Sequence, residues 1–141
     1  MIYLSKDDLI DVIQQHLLDD SIQMTDSILD SLEHKAIAFA SSYISGRYKV
    51  SLVFNAENPL RHPVLIQALA MIVVYRAVRR NAARKVPEDY KELYNEAIKI
   101  LENIQAGKQR LDTLPVVEKV DGSGKPSTLM WGNSTNKDYF L

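Results

Sequence analysis

The stretch from Pro63 to Arg80 restricts the fold more than any other part of the chain. Val64, Leu65, Ala68, Leu69, Ile72, Val73, Val74 and Tyr75 leave it almost no polar face. A helix that is apolar nearly all round has to be enclosed by other elements. Pro63 suits the first helical position, where its missing amide hydrogen costs little. The spacing therefore predicts a central helix over about 63–80 and an all-α fold packed around it.

Three further helices are predicted to supply the enclosure, making a compact four-helix bundle. Ser5 followed by Asp8 is a capping-box-like start, and Leu9, Ile13 and Leu17 recur every four positions, which predicts a first helix over about 6–18. Thr25 or Asp26 caps a second over about 26–45, with Ile28, Leu32, Ala36, Phe39, Ala40 and Tyr43 inward. Gly46 should close it in the left-handed conformation that glycine adopts without penalty. Pro87 opens a fourth helix over about 87–106, with Tyr90, Leu93, Tyr94, Ala97, Ile98, Leu101 and Ile104 inward and Gly107 as its stop.

Two segments fall outside this pattern. From Tyr48 to Phe54 the period changes to two, with Tyr48, Val50, Leu52 and Phe54 on one side and Lys49, Ser51 and Val53 on the other. The expectation is an extended arm over 48–62 between the second and third helices. Beyond Gly107 helical periodicity is lost and turn residues accumulate, as in Asp121-Gly122-Ser123-Gly124-Lys125-Pro126. The chain thus divides into a helical body, 1–107, and a long irregular C-terminal tail or docking arm, 108–141. Leu129, Met130, Trp131, Tyr139, Phe140 and Leu141 give that tail more large apolar groups than a solvated segment carries, so something should cover them.

Composition narrows the chemistry. With 141 residues the chain fits one domain. It has no cysteine and three scattered histidines, His16, His34 and His62, so neither a disulfide framework nor a structural zinc site is expected. A net charge of −1 gives no whole-protein field towards nucleic acid or an anionic membrane. No apolar run approaches the roughly 18 residues that span a bilayer, so no membrane partner is expected and the chain should be made and kept in the cytoplasm unless exported.

Gly122-Ser123-Gly124-Lys125 suggests a phosphate loop, but Lys119 stands where the pattern needs its first glycine and Pro126 where it needs Ser or Thr. The carboxylates lie at helix starts (Asp7, Asp8, Asp26) or on outward faces (Glu88, Glu92, Glu102), so no catalytic set, no cofactor and no enzyme activity are expected. Arg76, Arg79, Arg80, Arg84 and Lys85 form the one dense basic run, at the end of the third helix. Such cations complement a helix C-terminus, and they also suit a charged contact with a partner or with passing nucleic acid.

In their order these features resemble the tailed-phage head-tail connector family, also called adaptor or head-completion proteins, with its Mu-like phage relatives. The resemblance lies in Tyr3-Leu4-Ser5 with Asp8-Leu9, in Tyr43-Ile44-Ser45-Gly46-Arg47-Tyr48, in the proline-led third helix with Leu69-Ala70 and Tyr75, and in Tyr94, Ala97, Leu101 and Ala106-Gly107-Lys108. It spans about residues 2–111.

The resemblance implies a virion protein at the head-tail interface. Such a protein is a ring oligomer, typically a dodecamer, that binds the portal, meets tail or stopper proteins, and lets double-stranded DNA through without reading its sequence. Arg47, Tyr48, Val50, Leu52, Phe54, Trp131, Tyr139 and Phe140 are then the expected subunit or portal contacts, and Arg79, Arg80, Arg84 and Lys85 the candidate DNA-channel or charged contacts. The alternative is a helical interaction module of phage or bacterial origin that acts as a monomer or dimer.

Overall fold

A computed structural model describes residues 1–14, 26–81, 85–117, 119–120 and 126–127. The fold is all-α. Five helices occur among the described residues: α1 (Lys6–Ile10), α2 (Asp26–Ile44), α3 (Val50–Val53), α4 (Pro63–Asn81) and α5 (Glu88–Ala106). A two-stranded antiparallel hairpin, β1 (Lys119–Val120) with β2 (Pro126–Ser127), follows them.

Helix α4 is the centre, as its composition requires. Leu65, every residue from Ala68 to Val74, and Ala77 are buried, and α1, α2 and α5 all pack on this helix. His62 assists its start, since the imidazole Nδ1 accepts from the Val64 amide at 3.2 Å. Helix α2 is rotated from the expected stripe: Leu29, Leu32, Glu33, Ala36, Ala40 and Ile44 form its buried face. Ile28, Phe39 and Tyr43, expected inward, lie half-buried at its border. There Phe39 meets Tyr43 edge to face at 5.3 Å, and the Arg76 guanidinium lies over the Phe39 ring at 5.4 Å.

The capping box at the start of α1 is present, with Asp8 Oδ2 accepting from the Ser5 amide at 2.7 Å. The same carboxylate pairs with Arg61 at 2.6 Å, so the cap also ties α1 to the chain entering α4. The helix is shorter than its periodicity suggested. Val12 and Ile13 both donate to the Leu9 carbonyl, at 3.0 and 2.9 Å, which tightens the last turn and carries Ile13 into the core behind Leu9. Leu17 lies outside the described residues.

The two predicted glycine stops differ. Gly107 takes the left-handed conformation with φ 78°, and its amide donates to Ile104 while Lys108 donates to Asn103. This is a Schellman ending. Gly46 has no positive φ, because the Arg47 and Tyr48 amides continue the turn onto the Ile44 carbonyl at 3.0 and 2.9 Å.

The expected extended arm is replaced at its start by α3. Val53 and Phe54 donate to the carbonyls of Lys49 and Val50, a helical turn that buries Val53 completely and leaves Leu52 exposed, opposite to the alternation read from the sequence. Residues 54–62 then run without helix, and the Asn55 side chain accepts from the amides of Glu57 and Asn58 at 2.8 and 3.1 Å. The body also continues past Gly107: Leu111 and Leu114 join the core, and Val116 bridges antiparallel to Tyr48.

Candidate interaction surface

The corner after α2 gathers five of the residues singled out from the sequence and buries one of them, Tyr48, with Arg47, Val50 and Phe54 half-buried around it. Arg47 Nε donates at 2.8 Å to the Gln105 carbonyl, so it caps the last turn of α5, not that of the helix it follows. Tyr48 is 5% exposed and its hydroxyl accepts from the Leu111 amide at 2.8 Å. Around it, Lys49 donates to the Pro115 carbonyl at 2.9 Å and Val117 to that of Arg47 at 2.8 Å. Phe54 is half-buried and meets Tyr3 edge to face, with ring centres 4.9 Å apart. Val50 is half-buried against the same core.

Leu52 is the member of that set left at the surface, 46% exposed. It stands on the wall of an open groove of about 480 Å³ together with Leu60, Leu114 and Pro115, with Asn55, Asn58 and Thr113 as the polar lining. Val116, which the sequence reading did not select, is 53% exposed just beyond it. A second cleft, of about 570 Å³, lies between α1, α4 and α5 over Val12, Ile66, Met71 and Leu93, with Asp8 and Asp11 at its rim. An apolar wall with a few polar groups can take an extended peptide segment or a small ligand.

The basic run separates. Arg79 and Arg80 are exposed at the end of α4 and make no ion pair among the described residues, whereas Lys85 pairs with Glu88 at 3.5 Å. Arg84, Trp131, Tyr139 and Phe140 lie outside the described residues. Among the described residues no three His, Cys, Asp or Glu side chains converge as a metal site, and no helix is long and apolar enough to cross a membrane.

Two residues essential to this face were not picked out by sequence reasoning as part of it. Glu33 is 2% exposed on α2, and its carboxylate accepts from the Ile2, Tyr3 and Leu4 amides at 2.7, 2.9 and 2.6 Å. It thereby holds the N-terminal segment that delivers Tyr3 to the loop before α4. The Tyr3 hydroxyl donates to the Leu60 carbonyl at 3.1 Å and accepts from the His62 amide at 3.0 Å. Leu60 in turn walls the groove. Glu33 carries no motif, and a glutamate in mid-helix reads as solvated.

Burial pushes the Tyr3 hydroxyl above its ordinary value, against weaker opposing effects of the His62 amide and the Arg61 charge. A pKa raised on folding favours the neutral phenol in the folded state, so its stabilising contribution is present below about pH 10 and is lost as pH rises through the raised value. Tyr3→Phe should therefore cost about 1–3 kcal/mol at pH 7, where the Leu60 carbonyl and His62 amide lose their partner. The gap to wild type should narrow above about pH 10. Urea melts across pH check both, and a gap that stays constant into the alkaline range contradicts the role given to Tyr3.

One comparison identifies relatives. The family model described as "Bacteriophage Mu, Gp36" matches residues 3–128. No curated protein matches the chain.

Proposed function

The chain belongs to the Bacteriophage Mu Gp36 family, a phage protein family, and we propose that it is a structural head-tail connector of a tailed phage. On this reading it is not an enzyme. It forms a ring beneath the portal, extends the DNA channel, and offers a surface to tail or stopper proteins. The observation that carries the reading is the family match, which takes in the whole helical body and the segment that follows it.

The geometry is suited to that work. A body built around an enclosed α4 is rigid enough to repeat around a ring, while an open groove on its surface can receive an extended segment. The exposed pair Arg79 and Arg80 gives one end of α4 a positive charge that can meet phosphates without reading bases.

The test is a mass measurement with negative-stain imaging of the protein alone and mixed with the portal of the same phage. Ring-shaped, many-copy particles seated on the portal are expected. A discrete monomer or dimer with no portal affinity would overturn the connector reading in favour of a small helical interaction module.

A further inference from the structure

We infer that the cleft between α1, α4 and α5 receives the Arg79 and Arg80 face of a second copy of this chain, joining copies head to tail. The inference deepens the ring reading and rests on it for the closure of such copies into a ring. The net charge of −1 conceals a strong division. Residues 1–33 carry one Lys or Arg against eight Asp or Glu, whereas residues 34–87 carry nine against one. A chain divided in this way attracts its own copies when the two regions face outward on different sides.

The cleft has an apolar floor that includes Val12, Ile66 and Leu93. Asp8 at its rim is matched by Arg61, which leaves Asp11, exposed and in no ion pair among the described residues, as the free acid. On α5, Glu96 stands one turn after Leu93 on the same face, also exposed and in no ion pair among the described residues. The basic face has the complementary character. Arg79 and Arg80 adjoin Arg76, whose guanidinium lies over Phe39, and the half-buried Phe39 and Tyr43 add apolar edges beside these cations. No acidic residue occurs in α4, nor in α2 after Glu33. An apolar surface with cations can therefore seat on an apolar floor with carboxylates.

Placement then decides how copies join. At about 100° per residue, the α4 residues that line the cleft, from Pro63 to Met71, point about 150° away from Arg76, Arg79 and Arg80, and lie about 16 Å from them along the axis. Patches on nearly opposite sides cannot both be matched within one two-fold pair. Each contact leaves one cleft and one basic face free, so the contact is heterologous and propagates. A DNA duplex laid on the arginines would use neither the aromatic pair nor the acidic cleft.

Sedimentation velocity of the full chain at low ionic strength, over a range of concentrations, tests the contact. Wild type should associate as concentration rises, and less so in high salt. Arg79→Glu with Arg80→Glu should weaken the association about tenfold or more, as should Asp11→Lys with Glu96→Lys, with helical circular dichroism retained in both. Each of these variants keeps one half of the contact, so an equimolar mixture of the two should form pairs that do not grow. Both sets of changes in one chain should restore extended association. A wild type that stays monomeric overturns the inference, as does association that either reversal leaves unchanged, or a mixture that grows beyond pairs. Association kept by Arg79→Glu with Arg80→Glu while DNA binding is lost also overturns it, by assigning the arginines to nucleic acid. Rings that form on the portal with either variant would remove this contact and leave the connector reading standing. Head-to-tail association with no affinity for the portal would do the reverse.

Discussion

Glu33→Ala should be among the most damaging single changes in the protein, costing about 3–5 kcal/mol, because it removes a buried charged acceptor and leaves three backbone donors behind. The Ile2, Tyr3 and Leu4 amides all converge on its carboxylate, and the latter two bonds are buried. Water cannot replace that acceptor without opening the segment, and opening it withdraws Tyr3 and Leu4 from the core. The loss therefore couples hydrogen bonding to apolar burial. Glu33→Gln keeps one carbonyl oxygen but turns an amide nitrogen towards backbone donors, so it should fall between wild type and Glu33→Ala. Denaturant unfolding gives the magnitudes, and hydrogen exchange at Ile2 to Leu4 should accelerate in both variants. Glu96→Ala, at an exposed glutamate of α5, should stay within about 0.5 kcal/mol of wild type. If Glu33→Ala proves as mild, the carboxylate does not anchor the segment.

This anchor shows where the sequence stops being informative. Helix α4 was legible because its evidence is local, a run so apolar that only enclosure explains it. The same holds for the Ser5–Asp8 cap and for Gly107, each recognisable from residues within one turn. Glu33 differs because its partners come from 29 to 31 positions away, and a single glutamate on a helix gives no sign of them. Helix α3 failed for another reason. Val50, Val53 and Phe54 satisfy a helical spacing as readily as Val50, Leu52 and Phe54 satisfy an alternating one, and a window this short does not separate the two periods. What separates them is the Lys49 and Val50 carbonyls, which accept the helical bonds once Tyr48 is fixed. Of the candidate contacts, residue type identified the corner, but only the long-range bonds distinguish the residues that build it from Leu52, which faces out.

Tyr48→Ala tests that distinction and should cost about 3–5 kcal/mol, the range for truncating a buried aromatic residue. If Tyr48 served only as a subunit or portal contact, as the family resemblance implies, truncation would weaken assembly and spare the monomer. Its buried ring and the Leu111 amide on its hydroxyl at 2.8 Å predict the reverse. With the ring removed, Leu111 loses its acceptor, and the segment around Val116 that bridges to Tyr48 loses its seat. Arg47 is drawn in as well, because its backbone carbonyl holds Val117 while its side chain caps α5. Tyr48→Phe isolates the polar part and should cost about 1–3 kcal/mol. Leu52→Glu, four residues on but exposed, should leave the unfolding midpoint nearly unchanged. The ordering Tyr48→Ala, Tyr48→Phe, Leu52→Glu in lost stability is what a structural corner with one outward residue requires. A Tyr48→Ala protein that melts like wild type would contradict this role in folding. The full ordering instead assigns the buried core of the corner to folding and leaves the groove wall that Leu52 forms as the surface open to a partner.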